Sequence, residues 1–324
     1  MPPLLSTRLS RRAAHKTALA LAGSAPLLLM PAAARAAAWQ ATPPGAGTAA
    51  DPDLAQFAED AFAYTAGGYV SFFVVTPEGV IATDPSSQAG PERAEAYKAA
   101  IASVTDQPVR FLVYSHDHAD HAAGGDVFAD TATFVAHANA GPKIAARNDP
   151  RTPAPQITFA DGLSIDLGGK TVELRYVGRN HSDNSIVLLY PARRIMFAVD
   201  FIPVDRLPYQ DLGDSYPAEW IESLRLIEET LDFDTLVPGH PPFPGTKADV
   251  AEMRGYFEDL LAAIDAARAA GAADNSPEMV EAVRAALEPD YGAWGMFAEW
   301  LPLNIEGVIR AESAAAAAAG TPAA

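Results

Sequence analysis

Apolar residues fall in short, dense runs through the middle of the chain, and loops rich in Pro, Gly, Asp and Asn divide them. Runs at 70–75 and 80–84, joined by Thr76-Pro77-Glu78-Gly79, predict two strands and a turn. The brief apolar run 109–114 fits a buried strand. Segments 133–136, 157–159, 163–167 and 170–176 predict further strands, 186–190 and 194–199 a hairpin around Pro191-Ala192, and 235–237 a last short strand. Longer mixed segments at 91–103, 217–230, 247–270 and 277–287 predict helices, the first with Pro at its start. The aromatic stretch 291–303 is expected to pack back onto the body. Strands with helices between them predict an α/β protein of layered sheets covered by helices.

The two ends read differently. Residues 1–38 hold five basic residues and no acidic ones, with an apolar run at 18–30 and then small residues. That run is too short to span a bilayer and fits a cleaved export signal. Ser10-Arg11-Arg12-Ala13-Ala14-His15-Lys16 resembles the twin-arginine form of such a signal, so a periplasmic or secreted location is expected. No stable membrane insertion is expected once the signal is removed. Residues 39–55 read as a flexible lead-in, 56–310 as one domain with a C-terminal helical segment, and 311–324 as a disordered Ala-rich tail.

Composition narrows the function. The 324 residues carry 41 Asp+Glu against 23 Lys+Arg, a net charge of −18, and export would remove five of the basic residues and none of the acidic. Such a balance opposes a nucleic-acid partner. With no Cys, disulfides, zinc fingers, iron–sulfur clusters and thiol nucleophiles are all excluded.

The seven His are few but not scattered. Directly after the strand at 109–114 comes Ser115-His116-Asp117-His118-Ala119-Asp120-His121. Imidazole and carboxylate at this density suit a borderline divalent metal, zinc above all. His116 and His118, two apart on an extended segment, can point to one side, while Asp120 and His121 enter the following turn. His181 and His240 follow two other strand ends, and Asp200 closes the apolar run 195–199. His137 reads as structural. Asn184, three residues after His181, is placed either to donate a hydrogen bond to an oxyanion or to stabilise a turn.

His116-x-His118-x-Asp120-His121, then His181, Asp200 and Gly239-His240, resembles the metallo-β-lactamase superfamily in order and spacing over about residues 65 to 245. The resemblance implies a four-layer αβ/βα sandwich with a two-metal site at one edge. It implies that His116, His118 and His181 hold one metal, that Asp120, His121 and His240 hold the second, and that Asp200 bridges them. Asp84 would support the metal loop. Two Zn2+ are expected, with iron or manganese as alternatives, and a hydroxide shared by the metals as nucleophile. Asp120 would orient that hydroxide.

The superfamily branch stays open. Glutathione recognition is not favoured by the few basic residues after Thr246, and an Asp at position 200 departs from the Cys or Ser of many β-lactamases. The expected function is hydrolysis of a small ester, thioester, lactone or lactam. A β-lactamase proper, a mono-iron sulfur dioxygenase and a non-catalytic metal- or partner-binding protein are the alternatives. Tyr209, Tyr216 and Trp220 are candidate pocket walls, and Trp294, Phe297 and Trp300 either cap the site or pack in the core.

Overall fold

The computed structural model describes residues 53–320. The segment 1–38, read above as an export signal, and most of the segment 39–55, read as a lead-in, lie outside the described residues. Two sheets carry the fold. In the first, β1 (Asp53–Ala58), β2 (Ala61–Ala66), β3 (Tyr69–Thr76) and β4 (Gly79–Thr83) form an antiparallel meander. It continues in parallel through β5 (Val109–Val113), β6 (Thr133–His137) and β7 (Ile157–Phe159). In the second, β8 (Gly162–Leu167), β9 (Lys170–Tyr176), β10 (Ile186–Tyr190) and β11 (Ile195–Ala198) are antiparallel neighbours, and β12 (Thr235–Pro238) joins β11 in parallel.

Three apolar layers hold these sheets between helices. Between the sheets, Phe72, Val74, Val113 and Val135 meet Val172, Leu174, Leu188 and Phe197, and the Phe72 and Phe197 rings stack at 6.0 Å. Outside the first sheet, α1 (Glu92–Val104) and α3 (Ala140–Arg147) bring Tyr97, Ile101 and Ile144 onto Phe73, Leu112 and Phe134; the one-turn α2 (Ala119–Ala122) lies between them in sequence. Outside the second, α4 (Pro217–Thr230), α5 (Lys247–Ala269), α6 (Pro277–Tyr291) and α7 (Phe297–Gly320) bury Trp220, Phe257, Leu260, Leu301 and Ile305 against Val187 and Met196. The order helix, sheet, sheet, helix is the expected αβ/βα sandwich. Central strands are covered on both faces, so their sequences read as unbroken apolar runs rather than alternating ones.

Two expectations need correction. Residues 53–55 belong to β1 rather than to a lead-in, with Leu54 opposite Tyr64 of β2. β1 is a partly exposed edge strand of mixed composition, which weakens its pattern. The Ala-rich segment is not a disordered tail as far as Gly320: α7 runs through it. Ala has the highest intrinsic helix propensity, and the buried Leu301, Ile305 and Val308 supply the anchored turns from which the helix extends. Residues 321–324 lie outside the described residues. Among the described residues no helix is long and apolar enough to cross a membrane.

Candidate metal centre

The loops after β5, β9, β11 and β12 converge at one end of the sandwich and bring the predicted donors together. His116, His118, His181 and Asp200 form one set, and Asp120, His121, Asp200 and His240 a second; within each, the donor atoms lie within 4.8 Å of one another. His116, His121 and His181 place Nε2 at 3.7, 3.2 and 3.4 Å from Asp200 Oδ2, and His240 places Nε2 at 3.0 Å from Asp200 Oδ1. His118 Nδ1 lies 3.0 Å from His181 Nε2, and Asp120 Oδ2 lies 3.6 Å from His121 Nε2. Four donors at zinc bond lengths around a tetrahedral ion are separated by about 3.3 Å.

The rings are held from behind. The Gly68 carbonyl accepts a hydrogen bond from His240 Nδ1 at 2.8 Å, which leaves the Nε2 lone pair facing inward. His118 Nε2 lies 3.0 Å from Asp214 Oδ1, and Ser115 Oγ lies 2.9 Å from His116 Nδ1. Asp84 accepts the Ser115 backbone N–H at 2.8 Å and sets its other oxygen 3.8 Å from His121 Nδ1, as expected of a residue supporting the loop. Such contacts orient ligating rings.

The donor set fits a metal. His116 Nε2, both ring nitrogens of His121 and Asp200 Oδ1 are buried without a hydrogen-bond partner among the described residues. The lone pairs of His240 Nε2 and Asp200 Oδ1 face each other at 3.0 Å, an arrangement that a cation relieves. Burial, then the imidazoles of His118, His121 and His181, hold His116 well below the ordinary histidine range. Burial also pushes His181 down to about 4 against the pull of Asp200, with His118 and His121 adding to the fall. Neutral imidazole is the form that binds a metal; against its burial, the carboxylates of Asp200, Asp120 and Asp84 hold His121 the other way, up at about 9.

The backbone is shaped around this point. Asp200 adopts a left-handed φ of +66°, uncommon for a residue with a side chain. Beside it, a Cβ on Gly239 would meet Val199 Cγ1 at 2.5 Å and Asp200 Oδ1 at 3.1 Å, so only glycine lets β12 deliver His240 this close.

Asn184 is corrected. Its side chain is fully buried; Nδ2 donates to Asp117 Oδ1 at 2.7 Å and to Asp183 Oδ1 at 2.8 Å, and Oδ1 accepts the Asp117 backbone N–H at 2.8 Å. With both amide hydrogens engaged, it locks the loop of His116 and His118 to that of His181 and has no donor left for an oxyanion. His137 is structural, its Nε2 donating to Ala160 O at 2.7 Å and its ring stacking on Tyr176. Trp294, Phe297 and Trp300 belong to the helical-side core. Trp220 is buried against His181, whereas Tyr209 is exposed. Sequence reasoning passed over Asp214, the Gly68 carbonyl and Tyr69, whose ring lies 5.2 Å from that of His121 and 4.9 Å from that of His240. The Gly67-Gly68 turn was the one available cue.

The family model of the metallo-β-lactamase superfamily matches residues 64–240. The chain belongs to that superfamily. Among curated relatives, the 2,4-dinitroanisole O-demethylase subunit alpha of Nocardioides sp. (strain JS1661) is 27% identical over 245 residues, 74% of each chain. The metallo-β-lactamase type 2 of Elizabethkingia meningoseptica is 24% identical over 170 residues, 52% of this chain and 67% of the relative. A solved metallo-β-lactamase from Pontibacter korlensis shares the fold with a TM-score of 0.56 at 21% identity, covering 64% of this chain and 99% of that one. Family and donor set together support a metal cofactor and a hydrolase-like activity that depends on it.

Proposed function

We propose that this chain is an exported hydrolase that uses two zinc ions to cleave a small ester, thioester, lactone or lactam. The observation that carries the reading is the pair of donor sets joined through Asp200. His116, His118 and His181 would hold one ion, Asp120, His121 and His240 the other, with Asp200 between them. Ions so held supply an acidified water and a Lewis acid for the substrate carbonyl. Asp120 is the more open carboxylate, its side chain 34% exposed against 9% for Asp200, and so is the one placed to accept a hydrogen bond from the attacking water and orient it. Asp84, Asp214 and the Gly68 carbonyl keep the rings aimed. Imidazole-rich donors favour zinc, although the same set accepts iron or manganese.

Metal analysis of the purified chain, paired with a panel of esters, thioesters, lactones and lactams, tests this. About two zinc ions per chain and turnover of a panel member are expected. One iron per chain, with oxygen consumed on a persulfide, would replace the reading with a dioxygenase. Asp120→Ala is expected to keep the fold and lose at least about a hundredfold in turnover, the scale of a general acid–base contribution. Unchanged turnover would break the assigned role. The O-demethylase relative, matched over more of this chain than the lactamase relative, supports a second reading, O-demethylation of an aryl ether, so 2,4-dinitroanisole belongs in the panel.

A further inference from the structure

The two donor sets are braced by different parts of the chain. Behind the first set, Asp214 meets His118 and Asn184 locks Asp117 in place. Behind the second stand two backbone segments. The turn Ala66-Gly67-Gly68-Tyr69, between β2 and β3, offers the Gly68 carbonyl to His240 Nδ1 at 2.8 Å, and Tyr69 lays its ring beside His121 and His240. The segment 84–87, after β4, sets Asp84 Oδ2 at 3.8 Å from His121 Nδ1 and donates the Ser86 N–H to the His121 carbonyl at 2.8 Å.

One side chain joins these two segments. Arg93, in the first turn of α1, is buried. Its Nε donates to Ala66 O at 3.0 Å and its Nη2 to Tyr69 O at 3.1 Å, so the guanidinium spans the mouth of the Gly67-Gly68 turn. Its Nη1 donates to Pro85 O at 2.5 Å and to Ser71 Oγ at 3.0 Å, and Ser71 Oγ donates in turn to Asp84 O at 2.5 Å. These acceptors are all neutral. Burial lowers Arg93 to about 10, so it stays charged at neutral pH and every one of its bonds is charge-assisted. A planar fork of fixed donors can reach three carbonyls and a hydroxyl at once, which the single ammonium of lysine cannot. The turn needs such a hold. Gly67 and Gly68 take left-handed φ of +63° and +81°, and a Cβ on Gly68 would meet nothing within 4 Å, so packing does not fix the tip from that side. Hydrogen bonds do: Arg93 grips the turn from α1, and Val70 N–H donates to Gly239 O at 2.8 Å from the side of His240.

We propose that Arg93 is a positioning residue for the second metal ion: by fixing the Gly67-Gly68 turn to the Asp84 segment it aims His240 and His121, and so sets the affinity of the second position without setting that of the first. The inference rests on the two-ion reading above. It makes the two positions separately tunable, since the residues behind His116, His118 and His181 belong to other segments.

Zinc affinity of the full chain, measured by competition with a chromophoric chelator, tests this. Two backgrounds isolate the positions: His116→Ala with His118→Ala leaves the second set, and His121→Ala with His240→Ala leaves the first. Arg93→Met is expected to weaken zinc at the second set at least about tenfold and at the first less than about threefold, the scale of contacts that orient ligands. Equal losses in the two backgrounds would assign Arg93 to general support of the fold, and no loss in either would mean that the rings are aimed without it; both results overturn the proposal. Should Arg93→Met not fold, Arg93→Lys carries the same comparison, with a loss of at least about threefold confined to the second set. Wild type that takes up zinc at the first set alone would bring down the two-ion reading and this proposal together, whereas a filled second position indifferent to Arg93 brings down the proposal alone.

Discussion

Asn184 stands three residues from His181, yet its amide is consumed in tying Asp117 and Asp183 together, and Asp117 also takes Arg147 Nη2 at 2.9 Å. Truncating it would take the amide donor from one oxygen of the buried Asp117 carboxylate and strand the Asp117 backbone N–H. Asn184→Ala is therefore expected to cost about 1–3 kcal/mol of stability, read by denaturant melts, while kcat of the metal-loaded variant falls less than tenfold. A loss as deep as that of Asp120→Ala, without loss of stability, would return Asn184 to the catalytic group. The donors themselves were legible in the sequence because His and Asp after strand ends announce their chemistry by type. Their supports were not. A backbone carbonyl such as that of Gly68 has no residue signature, and Asp214 reaches His118 across 96 positions from a loop whose composition marks only a turn.

At the scale of elements, most strands and the long helices follow from where apolar runs start and stop, since burial on both sheet faces leaves little doubt about which segments are inside. What escaped were the edge strand β1, its neighbour β2, the short helices α2 and α3, and the helical continuation of α7, each either too short to carry a pattern or set by tertiary context. A further device appears only when the sheets are assembled. Asp60, between β1 and β2, accepts hydrogen bonds from Lys170 Nζ at 2.7 Å, Tyr190 Oη at 2.7 Å and Arg193 Nε at 2.9 Å. Lys170 opens β9 and Tyr190 closes β10, so this staple joins the two sheets at the end opposite the metal centre. Burial alone would raise the Asp60 carboxyl, but the bonds from Arg193, Lys170 and Tyr190 outweigh it and hold its pKa at about 2, below the ordinary 3.8. A lowered folded-state pKa means stability that is fully present above the unfolded value and lost as pH falls. The contribution, about 2 kcal/mol by linkage, is present above about pH 4 and fades toward pH 2. Asp60→Asn is expected to lower stability at pH 7 by about that amount and to flatten the acid limb of the stability curve. Parallel acid limbs in variant and wild type would contradict the staple.

For the molecule as a whole, the two ends of the sandwich set up opposite electrostatic demands. The staple is complete within the chain, whereas the other end concentrates five imidazoles with Asp120 and Asp200 and leaves buried donor atoms unpartnered. A ligand that binds only the folded state adds RT ln(1 + [L]/Kd), about 4 kcal/mol at a thousandfold excess over Kd. Stripping metal from the folded chain with a chelator should then lower Tm at pH 7.5 by about 5–10 °C. The sign with pH follows from competition: protons displace metal from imidazole, so the increment shrinks as pH falls from 7.5 toward 5.5. The Asp60 contribution is untouched in that interval, because its carboxyl titrates far lower. Chelation and Asp60→Asn act on separate ends and should add to within about 0.5 kcal/mol. Calorimetric melts of both proteins, with and without chelator at the two pH values, separate the terms. A Tm indifferent to chelator at pH 7.5 would mean that the convergent histidines are held by the fold alone, and the metal reading of this site would fall with it.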